Sequence, residues 1–136
     1  MPSPGGTSLE VRNKTLIRSF IEEIFNEHNL SSIEKYFWAG KGGEGFRRFL
    51  TDSFEAFPDW RANIEHVIAE NNLVVVFLNG SGTHKGVFHG ILPTNHTVNI
   101  RSADLYRIEN RIITGHWDVV DQLNLLKKQV HCFLKM

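Results

Sequence analysis

Three of the chain's five aspartates, Asp104, Asp118 and Asp121, fall in its last third, and His116 stands two residues before Asp118. An Asp inside an apolar pocket has its charged form disfavoured, which raises its pKa toward values useful to a general base. An imidazole two positions along a strand shares that face and can tune the carboxylate or act as its partner acid. Tyr106 offers a hydroxyl to a developing oxyanion. Together these groups suit proton abstraction beside a carbonyl, which requires no metal, nucleotide or covalent nucleophile.

Alternation decides which of them can meet. Over 97–109 the even positions are Val98, Ile100, Ser102, Asp104, Tyr106 and Ile108. Their apolar ends assign that face inward, and Ser102, Asp104 and Tyr106 go with it as candidate substrate-binding residues. Over 111–118 the inward set is read as Ile112, Thr114, His116 and Asp118, which makes Asp118 and His116 the candidate catalytic pair. The opposite set, Ile113, Gly115 and Trp117, is also partly apolar. A purely structural reading stands beside each assignment. Asp118 and Asp121 lie where the last strand gives way to a helix, so either could be an N-cap. Asp104 faces solvent if the parity is reversed. Tyr106 also suits a core position, and Trp60 and Trp117 suit core or dimer-interface positions.

Other chemistry finds little support. Gly40-Lys41-Gly42-Gly43-Glu44-Gly45 matches G-x-G-x-x-G, but it follows a helical stretch rather than a strand and reads as a flexible linker. The seven histidines form no H-x-x-x-H, and the single cysteine, Cys132, completes no zinc pattern, so no metal site is expected. His84 and His89 read as solvated loop imidazoles. No G-x-S-x-G nucleophile elbow is present.

The elements that must position these residues follow from periodicity. Residues 1–6 read as a loose tail, and 7–136 as one domain. Thr7 with Glu10 has capping-box spacing, and Ile17, Phe20, Ile21, Ile24 and Phe25 make one helical stripe. Ser31 with Glu34 repeats the box for a short second helix, and Phe46, Phe49, Leu50 and Phe54 predict a third that ends before Pro58. Strands are predicted over about 61–69, 73–84, 97–109 and 111–118. Asn71-Asn72 and Glu109-Asn110 supply tight turns. A closing helix is predicted through Leu123, Leu125 and Leu126. Helices followed by an antiparallel meander make an α+β fold, in which three helices close one side of a curved sheet around a pocket.

Composition agrees with a single domain. The 136 residues are 41% hydrophobic and 22% charged, with 15 basic residues balancing 15 acidic ones. Such a balance argues against nucleic-acid or polybasic membrane binding. The start lacks the features of a signal peptide, and the longest apolar run, Leu73 to Leu78, is too short to span a bilayer. A cytoplasmic protein is the expectation.

Three stretches carry a family resemblance: Ala56-Phe57-Pro58-Asp59-Trp60, then Gly82-Thr83-His84-Lys85-Gly86-Val87-Phe88-His89-Gly90-Ile91-Leu92-Pro93-Thr94, then His116-Trp117-Asp118-Val119-Val120-Asp121-Gln122. Over about residues 9–128 the chain resembles the SnoaL-like polyketide cyclase (ester cyclase) family of the nuclear transport factor 2-like superfamily. The resemblance implies an α+β cone and a homodimer packed through the outer sheet face. It also implies intramolecular aldol closure of a polyketide ester without cofactor, with Asp118 as the acid/base residue. Where the family's preceding strand supplies an amide and an imidazole, this chain has Ser102 and Asp104. The segment from Phe37 to Gly43 is short, and the chain after Leu126 lacks the family's Gln-Leu-Gly.

Two functional classes remain open at this point. One is a cofactor-independent acid/base enzyme on a small hydrophobic carbonyl compound, by aldol-type closure or by isomerisation with Asp104 sharing the work. The other is a non-catalytic small-ligand-binding or dimeric interaction domain. An epoxide hydrolase would require an Arg two residues before the strand Asp, whereas Arg101 is three before Asp104.

Overall fold

The computed structural model describes residues 6–37 and 43–121. The predicted closing helix and Cys132 lie outside the described residues. Helix α1, Ser8–Phe20, begins in the capping box read from the sequence: the Thr7 side chain accepts from the Glu10 amide, and the Glu10 carboxylate accepts from the Thr7 amide. It continues as a π-helical stretch, Ile21–Asn26, closed by a bond from the Glu27 amide to the Glu22 carbonyl at 2.9 Å. A 3₁₀ turn, Leu30–Ser32, leads into the single-turn α2, Ile33–Tyr36. The second capping box does not form. The Ser31 hydroxyl donates instead to the Asn29 side chain at 2.6 Å. Helix α3, Gly43–Ala56, takes in the end of the glycine motif.

The strands are β1, Arg61–Glu70; β2, Leu73–Thr83; β3, Thr97–Glu109; and β4, Ile112–Val120. They pair antiparallel in chain order, β1-β2-β3-β4. The first hairpin turns through Asn71 at φ 56°, as the sequence suggests. The last turns at Asn110 and Arg111, φ 53° and 64°, one residue later than the sequence reading.

Two irregularities decide which residues face the helices. In β1, a register shift between Ile64 and His66 moves the inward series from Ala62 and Ile64 to Val67 and Ala69. In β4, Ile108 pairs with Ile113 but Arg107 pairs with Gly115, so Thr114 is the extra residue. Thr114 is held by Arg107, whose Nε donates to its hydroxyl at 3.0 Å and whose Nη2 donates to its carbonyl at 2.8 Å. This corrects the parity read for β4. Ile113 rather than Ile112 or Thr114 enters the core, and beyond the bulge His116 and Asp118 stand opposite Tyr106 and Asp104.

The main core joins Ile17, Phe20, Ile21 and Ile24 to Ile33, Leu50, Val74, Val76, Tyr106 and Ile113. Burial of such side chains contributes about 1.5–3 kcal/mol each. A second cluster gathers Ala56, Phe57, Val98 and Ile100 with Trp60 and Phe88 packed against it. Asp59 joins the two ends of this cluster, accepting from the Thr83 amide at 2.7 Å and the Thr83 hydroxyl at 2.8 Å. Asn26 reaches the outer edge of β1, where it accepts from the Ala62 amide at 2.7 Å and donates to the Ala62 carbonyl at 3.0 Å. His84 is fully buried, not solvated as the sequence suggested. Its ring lies on Phe57, centroids 5.4 Å apart, with Nδ1 3.1 Å from the Thr94 hydroxyl.

The indole of Trp60 crosses β2 so closely that a Cβ on Gly80 would lie 2.2 Å from it. Gly80→Ala should therefore cost about 1–3 kcal/mol in urea unfolding. Gly45→Ala, with nothing within 4 Å of the added carbon, should cost nothing. Burial pushes the His84 imidazole below its usual 6.5. The unfolded chain then binds that proton more readily, so stability is intact above this value and is lost as pH falls toward the folded pKa. The melting temperature should fall on acidification from about pH 7 to about pH 5, less steeply in His84→Gln.

Candidate functional site

The inward face of β3 and β4 carries the polar residues singled out from the sequence. Asp104 is opposite Asp118 in the strand pair, and Tyr106 is opposite His116. The Asp104 residue is 6% exposed and Tyr106 fully buried, which agrees with the even-numbered inward face. Ser102 is half-buried, with its hydroxyl 3.4 Å from Asp104 Oδ2. His116 is half-buried, with Nε2 3.9 Å from Asp104 Oδ1, too long for a hydrogen bond. Asp118 is exposed. The carboxylate expected inside an apolar pocket is at the open rim instead, and Asp104 is the shielded member of the pair. Burial falls off along β4, from the buried Ile113 through the half-buried His116 to the exposed Asp118.

The rings of Tyr106 and His116 lie flat on one another, centroids 4.5 Å apart and planes 6° from parallel. Phe46 of α3 meets the imidazole edge-on at 6.1 Å, and Phe20 meets Tyr106 edge-on at 5.6 Å. The sequence marked Phe46 and Phe20 as core stripe residues. Their second contact, with the candidate site, depends on how the helices lie across the sheet and leaves no local signal. Among the described residues the interior beneath the helices is filled by aromatic side chains, Phe20, Tyr36, Phe37, Phe46 and Tyr106. A cavity of about 360 Å³ opens at the β1 edge between Glu22, Asn26, Arg61 and Asn79, and none of the five candidate residues lines it.

Two polar atoms at the site have no hydrogen-bond partner among the described residues although both are shielded from solvent: Tyr106 Oη and His116 Nε2. Burial, followed by the charges of Asp104 and Asp118, holds the Tyr106 phenol well above its usual pKa, so it is a neutral donor. Ligand atoms of Asp104, His116 and Asp118 all lie within 4.8 Å of one another. The arrangement can accept a proton at the rim and place donors and acceptors on a polar atom brought beside it. His89, by contrast, is exposed on the 84–96 loop, away from this face.

Comparisons with known proteins agree with this architecture. A family model described as SnoaL-like polyketide cyclase matches residues 15–129. No curated protein matches the sequence. Among solved structures, a SnoaL-like candidate polyketide cyclase from Jannaschia sp. CCS1 is 18% identical, with a TM-score of 0.85 over 93% of this chain and 97% of that one. A candidate polyketide cyclase from Acidithiobacillus ferrooxidans is 22% identical, with a TM-score of 0.79 over 89% and 96%. AclR, a candidate hydroxylase from Streptomyces galilaeus, is 22% identical, with a TM-score of 0.82 over 90% and 83%. At these identities the likeness shows a nuclear transport factor 2-like α+β fold. No helix among the described residues is long and apolar enough to cross a membrane.

A buried hydroxyl without a partner costs about 1–3 kcal/mol. Tyr106→Phe should therefore leave the ligand-free protein as stable as before, or more stable by up to that amount. A large loss in thermal unfolding would show instead that the hydroxyl is engaged within the fold.

Proposed function

Because this chain belongs to the SnoaL-like polyketide cyclase family, we propose that it is a cofactor-independent acid/base enzyme acting on a small hydrophobic carbonyl compound. The observation that supports it best is the convergence of Asp104, His116 and Asp118 on one sheet face beside the buried, unpartnered hydroxyl of Tyr106. Asp118 is the general base. Its exposure lets a substrate reach it without unfolding the rim. It takes a proton from a carbon next to a carbonyl, and the electron pair moves to the carbonyl oxygen as an enolate. His116 and the neutral Tyr106 hydroxyl stabilise that oxygen, while Ser102 and Asp104 hold the neighbouring polar atom. In an aldol-type closure the enolate carbon attacks a second carbonyl and the new alkoxide recovers the proton, so the product is an isomer of the substrate. Return of the proton to another carbon gives simple isomerisation.

One observation favours the second reading, a non-catalytic ligand-binding domain: the ring-filled interior leaves the polar face open only at its rim. Exchange of the α-proton of hydrophobic β-keto esters in D₂O separates the two. Wild-type protein should accelerate the exchange, and Asp118→Asn should lower it by about 10²–10⁴-fold with the fold intact by circular dichroism. Equal rates in the two proteins would overturn the catalytic reading.

The same proposal includes a homodimer through the outer sheet face. Register places Ile68, Val75, Leu105 and Trp117 in one outward row, and Phe77, Ala103 and Val119 in the next. Ile68, Phe77, Trp117 and Val119 are exposed, an apolar patch of the kind that marks association. Sedimentation should show a dimer, and Trp117→Lys a monomer.

A further inference from the structure

We propose that Asp104, His116 and Asp118 form a binding site for one divalent transition-metal ion, with Zn²⁺ the best-suited occupant. His116 and Asp118 share one face of β4 two residues apart, and the pairing of β3 with β4 in this register brings Asp104 to them. Their ligand atoms lie within 4.8 Å of one another, and the Asp104 oxygen and His116 nitrogen are 3.9 Å apart. Ligands about 2.0–2.2 Å from one tetrahedral ion stand roughly 3.3–3.6 Å from each other, so side-chain rotation must draw the set slightly closer.

Charge points the same way. Two carboxylates directly opposite on paired strands repel. Among the described residues neither Asp104 nor Asp118 forms an ion pair with a lysine or arginine. A doubly charged cation cancels both. A neutral imidazole ligand favours zinc and its transition-metal neighbours over magnesium or calcium, which take oxygen sets.

A separate observation also points to a ligand. His116 Nε2 is shielded and lacks a hydrogen-bond partner among the described residues, which suits a nitrogen that ligates a cation. The Tyr106 hydroxyl is fully buried and likewise unpartnered, and its ring lies flat on the imidazole, centroids 4.5 Å apart. Ser102 supports the buried carboxylate at 3.4 Å as an outer partner, and the exposed Asp118 gives the ion a path in. This inference does not rest on the catalytic proposal but competes with it for the same carboxylate. An ion here would hold the lone pair that Asp118 needs as a base, so ion binding and proton abstraction exclude each other.

The test is isothermal titration of the chelator-treated full chain with ZnCl₂ and separately with MgCl₂, with the visible spectrum of the Co²⁺-loaded protein as a second readout. The expected result is one Zn²⁺ per chain, no saturable Mg²⁺ binding, and a Co²⁺ spectrum of a site containing nitrogen. Asp104→Asn and His116→Gln should each weaken Zn²⁺ by more than the roughly 10–100-fold lost with an outer partner. Asp118→Asn changes an exposed residue, so it keeps the test decisive if the buried variants fail to fold. Absence of saturable Zn²⁺ binding, or binding undiminished in Asp118→Asn, would overturn the site. Proton exchange that persists in chelator while no ion binds removes this inference alone. Saturable Zn²⁺ binding, together with no proton exchange by the chelator-treated protein, removes the catalytic reading alone.

Discussion

The pairing of β3 with β4, offset by one extra residue at Thr114, is the constraint on which the site depends. A strand without that bulge would carry Ile113 and His116 on opposite faces, since the positions differ by an odd number. With it, Ile113 fills the core beside Ile108, while His116 stands over Tyr106 and Asp118 over Asp104. Arg107 secures the arrangement from the outer face by bonding both the hydroxyl and the carbonyl of Thr114. The same guanidinium sits 5.7 Å from the Trp117 ring, which ties the outward aromatic to the device that turns His116 inward. Local strand irregularity of this kind re-aims side chains at functional sites in many sheets.

The polar face is built at some expense to the ligand-free fold. Tyr106 lies among Phe20 and the imidazole of His116 with its hydroxyl unanswered, and two carboxylates oppose each other across the ladder. A sequence selected only for packing would use phenylalanine and a neutral residue at such positions. The exposed Asp59, by contrast, accepts from Thr83 through both oxygens. Asn13 Nδ2 and Asn79 Oδ1 also lack partners among the described residues, but only the β3–β4 face sets such groups beside two opposed carboxylates.

Much of this organisation is legible in the residues themselves. The Thr7–Glu10 box, the Ile17–Phe25 stripe and all four strands declare themselves by spacing, because capping and burial are governed by nearest neighbours in sequence. The even-numbered face of β3 is legible for the same reason. What escapes is set by tertiary pairing. Both Ile113 and His116 face inward, and no strict alternation allows that, which is why either parity of β4 looked partly apolar. The second capping box yields to a 3₁₀ turn through Leu30–Ser32. His84 looks like a loop histidine by neighbours alone, yet Phe57 and Thr94 enclose it. The exposure of Asp118 escapes likewise, because alternation assigns a face of the strand and not a depth.

Asn26 has a consequence beyond the helix it ends. By answering both backbone groups of Ala62, its amide imitates a neighbouring strand at the outer margin of β1. On the opposite margin, the backbone of Phe37 forms an isolated parallel bridge with Ile113. Unprotected borders of a sheet invite foreign strands to continue the ladder, the route to fibrils and runaway aggregates. With a point on each border already occupied by the chain's own residues, a foreign strand meets an interrupted ladder on either side.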